Sequence, residues 1–243
     1  LCEGNCVIEK GFESVTIGAV EKHITEIAFD NGWVKPITPR VEKEQSVGII
    51  GAGPAGLAAA DQLRRKGYQV TIYDRYDRVG GLLIYGIPGF KLEKEIVIRR
   101  HELLQQSGIS FCLNCEIGRD ISFEHLQEKH DAVLIATGVY KARNIEIEGS
   151  NLKGVVPALE FLIASNRKSL GDKVSNFDDG TLNADGKHVV VVGGGDTAMD
   201  CVRTAVRQNA KSVTCLYRRD RVNMPGSQRE VQNAEEELSL IHI

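Results

Sequence analysis

No run of apolar residues in this sequence approaches the roughly 20 needed to cross a bilayer, so no membrane contact is expected. Neither sign of charge is in excess. The 30 Lys and Arg stand against 33 Asp and Glu, a formal net charge of −3, and nucleic-acid binding is not expected on that ground. The chain does not open with a basic stretch and an apolar core; Cys, Glu, Gly and Asn stand there instead, and no secretory leader is read. The cysteines do not form a disulfide framework. Four of them (Cys112, Cys115, Cys201 and Cys215) sit in apolar or helical runs as small buried residues do, and a reducing, cytoplasmic compartment is the default. The histidines show no ligand spacing, and there is no low-complexity tract. What is present is an ordinary globular composition in 243 residues, enough for one large domain or two small ones. The first residue is Leu, and the last six, LSLIHI, stop in what reads as the start of a strand; the chain is therefore expected to be a piece cut at both ends.

Against these absences stands one pattern, and it occurs twice. Residues 46–50 (SVGII) are a short apolar run rich in β-branched residues, read as a buried parallel strand. The loop that follows, Gly51, Ala52, Gly53, Pro54, Ala55 and Gly56, has G-x-G-x-x-G spacing. Gly51 suits the tight turn, Gly53 the approach of a pyrophosphate, and Gly56 the close packing of helix on strand. A helix is expected through LAAADQLRRK, with a basic last turn and Gly67 as its cap. The strand QVTIYD then ends at Asp74, 23 residues after Gly51. An acid near that offset hydrogen-bonds a ribose 2′-OH.

The second unit begins with HVVVV (188–192), followed by Gly193, Gly194, Gly195, Asp196, Thr197 and Ala198 in G-x-G-x-x-A spacing. The expected helix TAMDCVRTAVRQNA leads to the strand SVTCLY, which ends in Arg218 and Arg219 instead of an acid. Two Arg at a strand end are ordinarily a solvated pair. Arg218 lies 25 residues after Gly193, close to the place Asp74 holds in the first unit, and there the phosphate reading is favoured. A carboxylate at that place repels a 2′-phosphate, whereas a guanidinium binds one bidentately. The first loop therefore suits FAD or NAD and the second NADP(H). Two such nucleotides imply hydride traffic to a flavin.

The segments LCEGNC, GAGPAGLAAA, GGLLIYGIPGFKLEK, AVLIATGVYKAR, GGGDTAMDCVRTAVRQ and YRRDRVNMPGSQREVQNAEEE resemble the small (β) subunits of bacterial NADPH-dependent glutamate synthases. More broadly, they resemble the FAD/NADPH module shared with dihydropyrimidine dehydrogenase. The resemblance covers all but the last six residues and implies an α/β fold of two Rossmann-like domains behind a short helical iron–sulfur segment. It places FAD on the first loop, with Asp74 and Arg75 toward the adenosine end. Gly80, Gly81 and Leu82 would pass the flavin side, Lys91 would lie near the phosphates, and the backbone of Ile117 would touch the adenine. It gives NADPH to GGGDT, with Arg218 and Arg219 on the 2′-phosphate and Arg229 as a weaker candidate. It also makes Cys2 and Cys6, a C-x₃-C pair with no assignment of its own, ligands of 4Fe–4S clusters completed by cysteines elsewhere.

The resemblance further implies electron transfer through the clusters to the large (α) glutamate synthase subunit, where glutamine nitrogen passes to 2-oxoglutarate. Delivery to ferredoxin or to a pyrimidine-reducing domain is the enzyme alternative. A non-catalytic nucleotide-binding scaffold is the alternative of another class. No catalytic side chain is expected, since the cofactors carry the chemistry. The expected organisation is 1–44 for the cluster segment, with an amphipathic helix in TIGAVEKHITEIAFDNGW, 45–145 for the first segment of an FAD domain, and 146–243 for part of an NADPH domain. A polar linker is read over RKSLGDKVSNFDDGTLNADGKH. Independently of the family, GGLLIYGIPGF reads as a close-approach loop too rich in glycine for a helix interior. AVLIATG reads as a buried strand. CLNC (112–115) lies in the expected strand ISFCLNCEI, where positions three apart face opposite ways, so chelation by this pair is not expected.

Overall fold

The computed structural model describes residues 6–11, 13–142, 146–237 and 240–242. A 3₁₀ turn at Val7–Lys10 and helix α1 (Ile17–Asp30) come first. α1 buries none of its residues and leaves Val20, Ile24 and Ile27 exposed. It is tied down by Arg99, whose guanidinium bonds Glu26 at 2.8 Å and lies 3.7 Å over the Phe29 ring.

The first sheet is wholly parallel, in the order β3-β2-β1-β4. β1 (Ser46–Ile50) leads into α2 (Pro54–Arg65), and β2 (Gln69–Tyr73) follows. α2 starts with proline at its first turn, where the missing N–H goes unused, and ends in Arg64 and Arg65, which suit the negative end of the dipole. One-turn α3 (Leu82–Tyr85) and α4 (Lys94–Gln106) lead to β3 (Ser110–Cys112), then α5 (Phe123–Lys129) and β4 (Ala132–Ile135). The core between sheet and helices is built on Ile49, Ile72, Ala60, Val70 and Leu104.

The second sheet is also parallel, in the order β5-β6-β7. It is preceded by α6 (Ala158–Ser169) and one-turn α7 (Ser175–Asp178). β5 (His188–Val192), α8 (Asp196–Arg207), β6 (Ser212–Leu216), α9 (Gln228–Glu236) and β7 (Leu240–His242) follow. Met199, Val202, Ala205, Val213 and Cys215 form its core. α6 joins the two units: Ile163 packs on Ile84, Tyr85 and Val97, while Phe161 packs on the second core.

Four sequence expectations change. The expected linker is structured: Arg167–Ser169 finish α6, a turn of helix follows, and Leu182 and Ala184 are buried. The strand ISFCLNCEI stops at Cys112, because Asn114 takes φ 54° and bends the chain. AVLIATG gives β4, but at the sheet edge, with Leu134 40% and Ile135 64% exposed. GGLLIYGIPGF does hold one helical turn, α3, set between Gly81 and Gly86.

Candidate functional site: two nucleotide loops and the segment between them

At the first loop, Gly51 sits at φ +113°, and a Cβ there would lie 2.4 Å from the carbonyl oxygen of Ala136. A Cβ on Gly56 would lie 2.0 Å from the oxygen of Gly51, so α2 packs against the strand end only because that atom is missing. Gly53 differs: an added Cβ meets nothing within 4 Å, so the loop faces open space at the place assigned to a pyrophosphate. Ala52 is fully buried, and Pro54 and Ala55 are exposed at the start of α2.

Asp74 is brought to this loop. Its Oδ2 accepts the Ala52 N–H at 2.6 Å and its Oδ1 the Tyr76 N–H at 2.9 Å. A carboxylate holds about four lone-pair sites, so acceptor capacity remains for ribose hydroxyls. Arg75 is exposed, its guanidinium 4.7 Å from the Tyr140 ring and 5.1 Å from that of Tyr76. Gly80 and Gly81 also reach the loop, and Leu82 follows them at the start of α3. The Gly80 N–H bonds the Ala52 carbonyl at 2.9 Å, and a Cβ on Gly81 would stand 2.9 Å from the Gly53 Cα. Ile84 and Tyr85 are buried in the protein itself, which leaves Leu82, Leu83 and Ile87 as the half-buried apolar residues of this segment. Ile117 bridges Ile121 and packs with Tyr73, Cys115 and Leu126, two residues beyond the Cys115 N–H that bonds the Asp74 carbonyl.

At the second loop, Gly193 N–H bonds the Leu216 carbonyl at 2.9 Å, and Ala198 packs behind it. Tyr217 lies flat against Gly194: a Cβ there would come 2.6 Å from the ring. Residues 224–227 close over the turn, since Gly226 N–H bonds the Gly194 carbonyl at 2.9 Å and Ser227 N–H bonds Asp196 Oδ1 at 2.9 Å. Gly195 caps α8, and Asp196 and Thr197 are exposed on its first turn. Arg218, Arg219 and Arg229 are exposed, and their side chains make no hydrogen bond or ion pair among the described residues. Their guanidinium donors are therefore uncommitted, unlike Arg203 and Arg207, which are held by Glu230 and Glu237. Sequence reasoning missed Tyr217 as a wall of the loop; it stood next to Arg218 only as a strand end.

Lys91 goes elsewhere. Its Nζ bonds Asp200 Oδ1 at 2.7 Å and lies 3.5 Å from Glu230, both in the second unit. Burial pushes the Asp200 carboxyl above the usual range against the pull of Lys91. Burial also opposes charge on Lys91, but the two carboxylates outweigh it and raise its affinity for the proton.

The cysteines divide. Cys2 lies outside the described residues, and Cys6 is half-buried ahead of the first 3₁₀ turn. No group of three or more metal-capable side chains occurs among the described residues. The bend at Asn114 brings Cys112 and Cys115 together, correcting the expectation that they face apart. Burial, and then the hydrogen-bonded Cys112 thiol, pushes the Cys115 thiol up to about 11.

Two strand–glycine-turn–helix units, each ending its second strand at its own loop, are the frame of a protein that handles two dinucleotides. The chain belongs to the pyridine nucleotide-disulphide oxidoreductase family, which it matches over residues 45–239. It is 66% identical over 238 residues to the glutamate synthase (NADPH) small chain of Azospirillum brasilense, covering 98% of this chain and 49% of that one. It is 49% identical over 237 residues to the protein of the same name from Escherichia coli, covering 98% and 50%. The chain thus spans about half the length of the curated relatives it matches. Over 212 residues it is also 47% identical to yeast glutamate synthase (NADH), covering 87% of this chain and 10% of that one. Among solved structures, Mycobacterium tuberculosis FprA in complex with NADPH aligns with a TM-score of 0.66 at 21% identity, over 80% of this chain and 48% of that one. Lactococcus lactis thioredoxin reductase aligns at 0.55 and 24%, over 82% and 64%. These likenesses extend the fold to both units.

Proposed function

We propose that this chain is the nucleotide-binding part of an electron-input oxidoreductase of the glutamate synthase small-subunit type. The opposite charge at the two equivalent strand ends carries this reading: Asp74 beside the first loop, uncommitted Arg218 and Arg219 beside the second. Gly51–Gly56, Asp74, Arg75 and Gly80–Leu82 hold FAD, with Ile117 toward the adenine. Gly193–Ala198, Arg218 and Arg219 hold NADPH. The two bound cofactors supply hydride transfer, and the protein binds and orients them. Cys2 and Cys6 contribute to 4Fe–4S clusters that pass electrons to the large glutamate synthase subunit in the cytoplasm. The names of the relatives and the two loops of opposite charge support this reading. The yeast relative named for NADH makes the Arg pair the decisive feature, because overall identity does not choose the coenzyme.

Charge-assisted hydrogen bonds of this kind contribute roughly 1.5–3 kcal/mol each. In the full-length protein, Arg218→Ala with Arg219→Ala is expected to raise the KM for NADPH at least ten-fold and to change that for NADH less than two-fold. Equal losses with the two coenzymes, read from initial rates with an artificial acceptor, remove the assignment.

A further inference from the structure

The segment from Asp77 to Lys94 touches both units, and its contacts with the second are polar and specific. The Arg78 guanidinium straddles Asp172 at 2.8 and 2.7 Å. Asn166 on α6, itself buried, donates to the Tyr85 carbonyl at 2.9 Å. The third tie is made by the tip of the segment. Phe90 lies under two guanidiniums, 3.8 Å from Arg207 and 4.7 Å from Arg203, and next to it Lys91 pairs with Asp200. The Lys91 side chain is 22% exposed and that of Asp200 10%. A pair this dry is far less screened than one on the surface.

The destination of the third tie sets it apart. Arg78 and Asn166 join the segment to α6 and the turn after it. Lys91 joins it to α8, the helix that springs from the second glycine loop. Asp200 lies one turn beyond Asp196, on the same face. At its other end the same segment is fixed to the first loop through Gly80 N–H and the Ala52 carbonyl. A continuous line of contacts thus runs from the first nucleotide loop, through the Gly80–Lys91 segment, to the helix of the second.

We propose that Lys91 and Asp200 form a latch that fixes the segment beside the first nucleotide to the helix of the second nucleotide loop, and so sets how the two bound nucleotides face each other. The latch rests on the two-nucleotide reading above. It gives Lys91 a positioning role through Asp200, in place of direct contact with the phosphates of FAD. Hydride transfer demands that the donor and acceptor atoms meet within a narrow range of distance and angle, and small displacements cost rate steeply. Loss of the latch therefore acts on the rate of transfer more than on the affinity of either nucleotide.

The test uses full-length protein carrying Lys91→Met, Asp200→Asn, both together, or Lys91→Arg. Each single neutral variant is expected to raise hydrogen–deuterium exchange across residues 80–94 and to slow flavin bleaching at saturating NADPH at least ten-fold. FAD content and the KM for NADPH are expected to stay within two-fold. The double variant is expected to be no slower than either single one, because the same contact is lost once, and Lys91→Arg is expected to restore the rate. If Lys91→Met sheds FAD while Asp200→Asn retains it, Lys91 is an FAD ligand and the latch is overturned. Unchanged exchange in both single variants overturns it as well. Should the unmodified protein fail to bleach with NADPH, the proposed function falls, and the exchange pattern alone then decides whether the latch exists.

Discussion

At the scale of single residues, Asp74 combines an observed loop contact with the ribose contact proposed for it. Both of its oxygens accept backbone N–H groups, from Ala52 and Tyr76, which shapes the first loop before any nucleotide arrives. In the proposed reading, the remaining lone pairs accept from the ribose hydroxyls. On that reading, Asp74→Ala removes a loop anchor and a proposed ligand together. It is expected to weaken FAD binding ten-fold or more, since hydrogen bonds to a charged group contribute roughly 1.5–3 kcal/mol each. The flavin-to-protein absorbance ratio of the purified full-length variant measures this, with circular dichroism to show that the fold persists. An unchanged ratio and affinity would place the acid away from the ribose.

At the scale of elements, the Gly80–Lys94 segment is unusual in holding a buried lysine. Lys94 is 6% exposed, and its ammonium donates to the carbonyls of Leu83 and Ile87, stitching the one-turn helix α3 to the start of α4. Burial lowers its pKa to about 8. Between about 8 and the ordinary lysine value, the unfolded chain keeps a proton that the folded protein has released at this site, so the contribution of Lys94 to stability rises with pH across that window. Below about 8 the cost of the buried charge is present in full. The shift corresponds to a gain of about 3 kcal/mol over the window. Tyr85, pushed up to about 12 chiefly by burial, and the buried Cys115 and Cys201 thiols, pushed up to about 11 and about 12, act in the opposite sense above their own ordinary values, so the Lys94 contribution is read as a difference between two proteins that share these groups. The urea midpoint of the unmodified protein is expected to gain on that of Lys94→Met from pH 7.5 to 9.5; parallel curves would refute the assignment.

The same scale shows what the sequence could convey. Local signals gave both glycine loops, and β1 and β5 carry the expected bounds, because strand propensity, turn glycines and helix start all agree there. The approach of Asp74 to the first loop was also legible, from spacing alone. Tyr217 against Gly194, and Lys91 paired with Asp200, join segments whose proximity no local period encodes. The burial of Leu182 and Ala184 in the expected linker has the same origin: a polar average conceals two apolar residues that the fold turns inward. The Cys112–Cys115 contact was misjudged because one backbone angle, at Asn114, replaced a strand by a bend.

At the scale of the whole molecule, each sheet leaves apolar residues exposed on an edge strand, β4 in the first and β5 in the second. Ile135 of β4 is 64% exposed, and Val190 and Val192 of β5 are 58% and 59% exposed. Surfaces of this kind promote association. Residues 1–243 expressed alone are expected to be poorly soluble, and Ile135→Thr with Val190→Thr and Val192→Thr is expected to raise the soluble yield at least two-fold. Size-exclusion profiles at several concentrations check the cause. A monomeric unmodified chain, or triple variants that aggregate equally, would show that these faces are not the source.

The wholly parallel pairing of the first sheet has a consequence in time. A parallel sheet has no hairpins, so β1 finds β2 only across a helix and meets β4 much later; the Ser46–Asp131 contact that seals that edge spans 85 residues. At synthesis rates of roughly 5–20 residues per second, β4 leaves the ribosome about 4–17 seconds after β1. Throughout that interval the central strand of the nucleotide sheet has one flank unmade, and the Gly51 turn lacks the Ala136 carbonyl that later lies against it. The first loop is thus made well before the strand end that gives it its final shape.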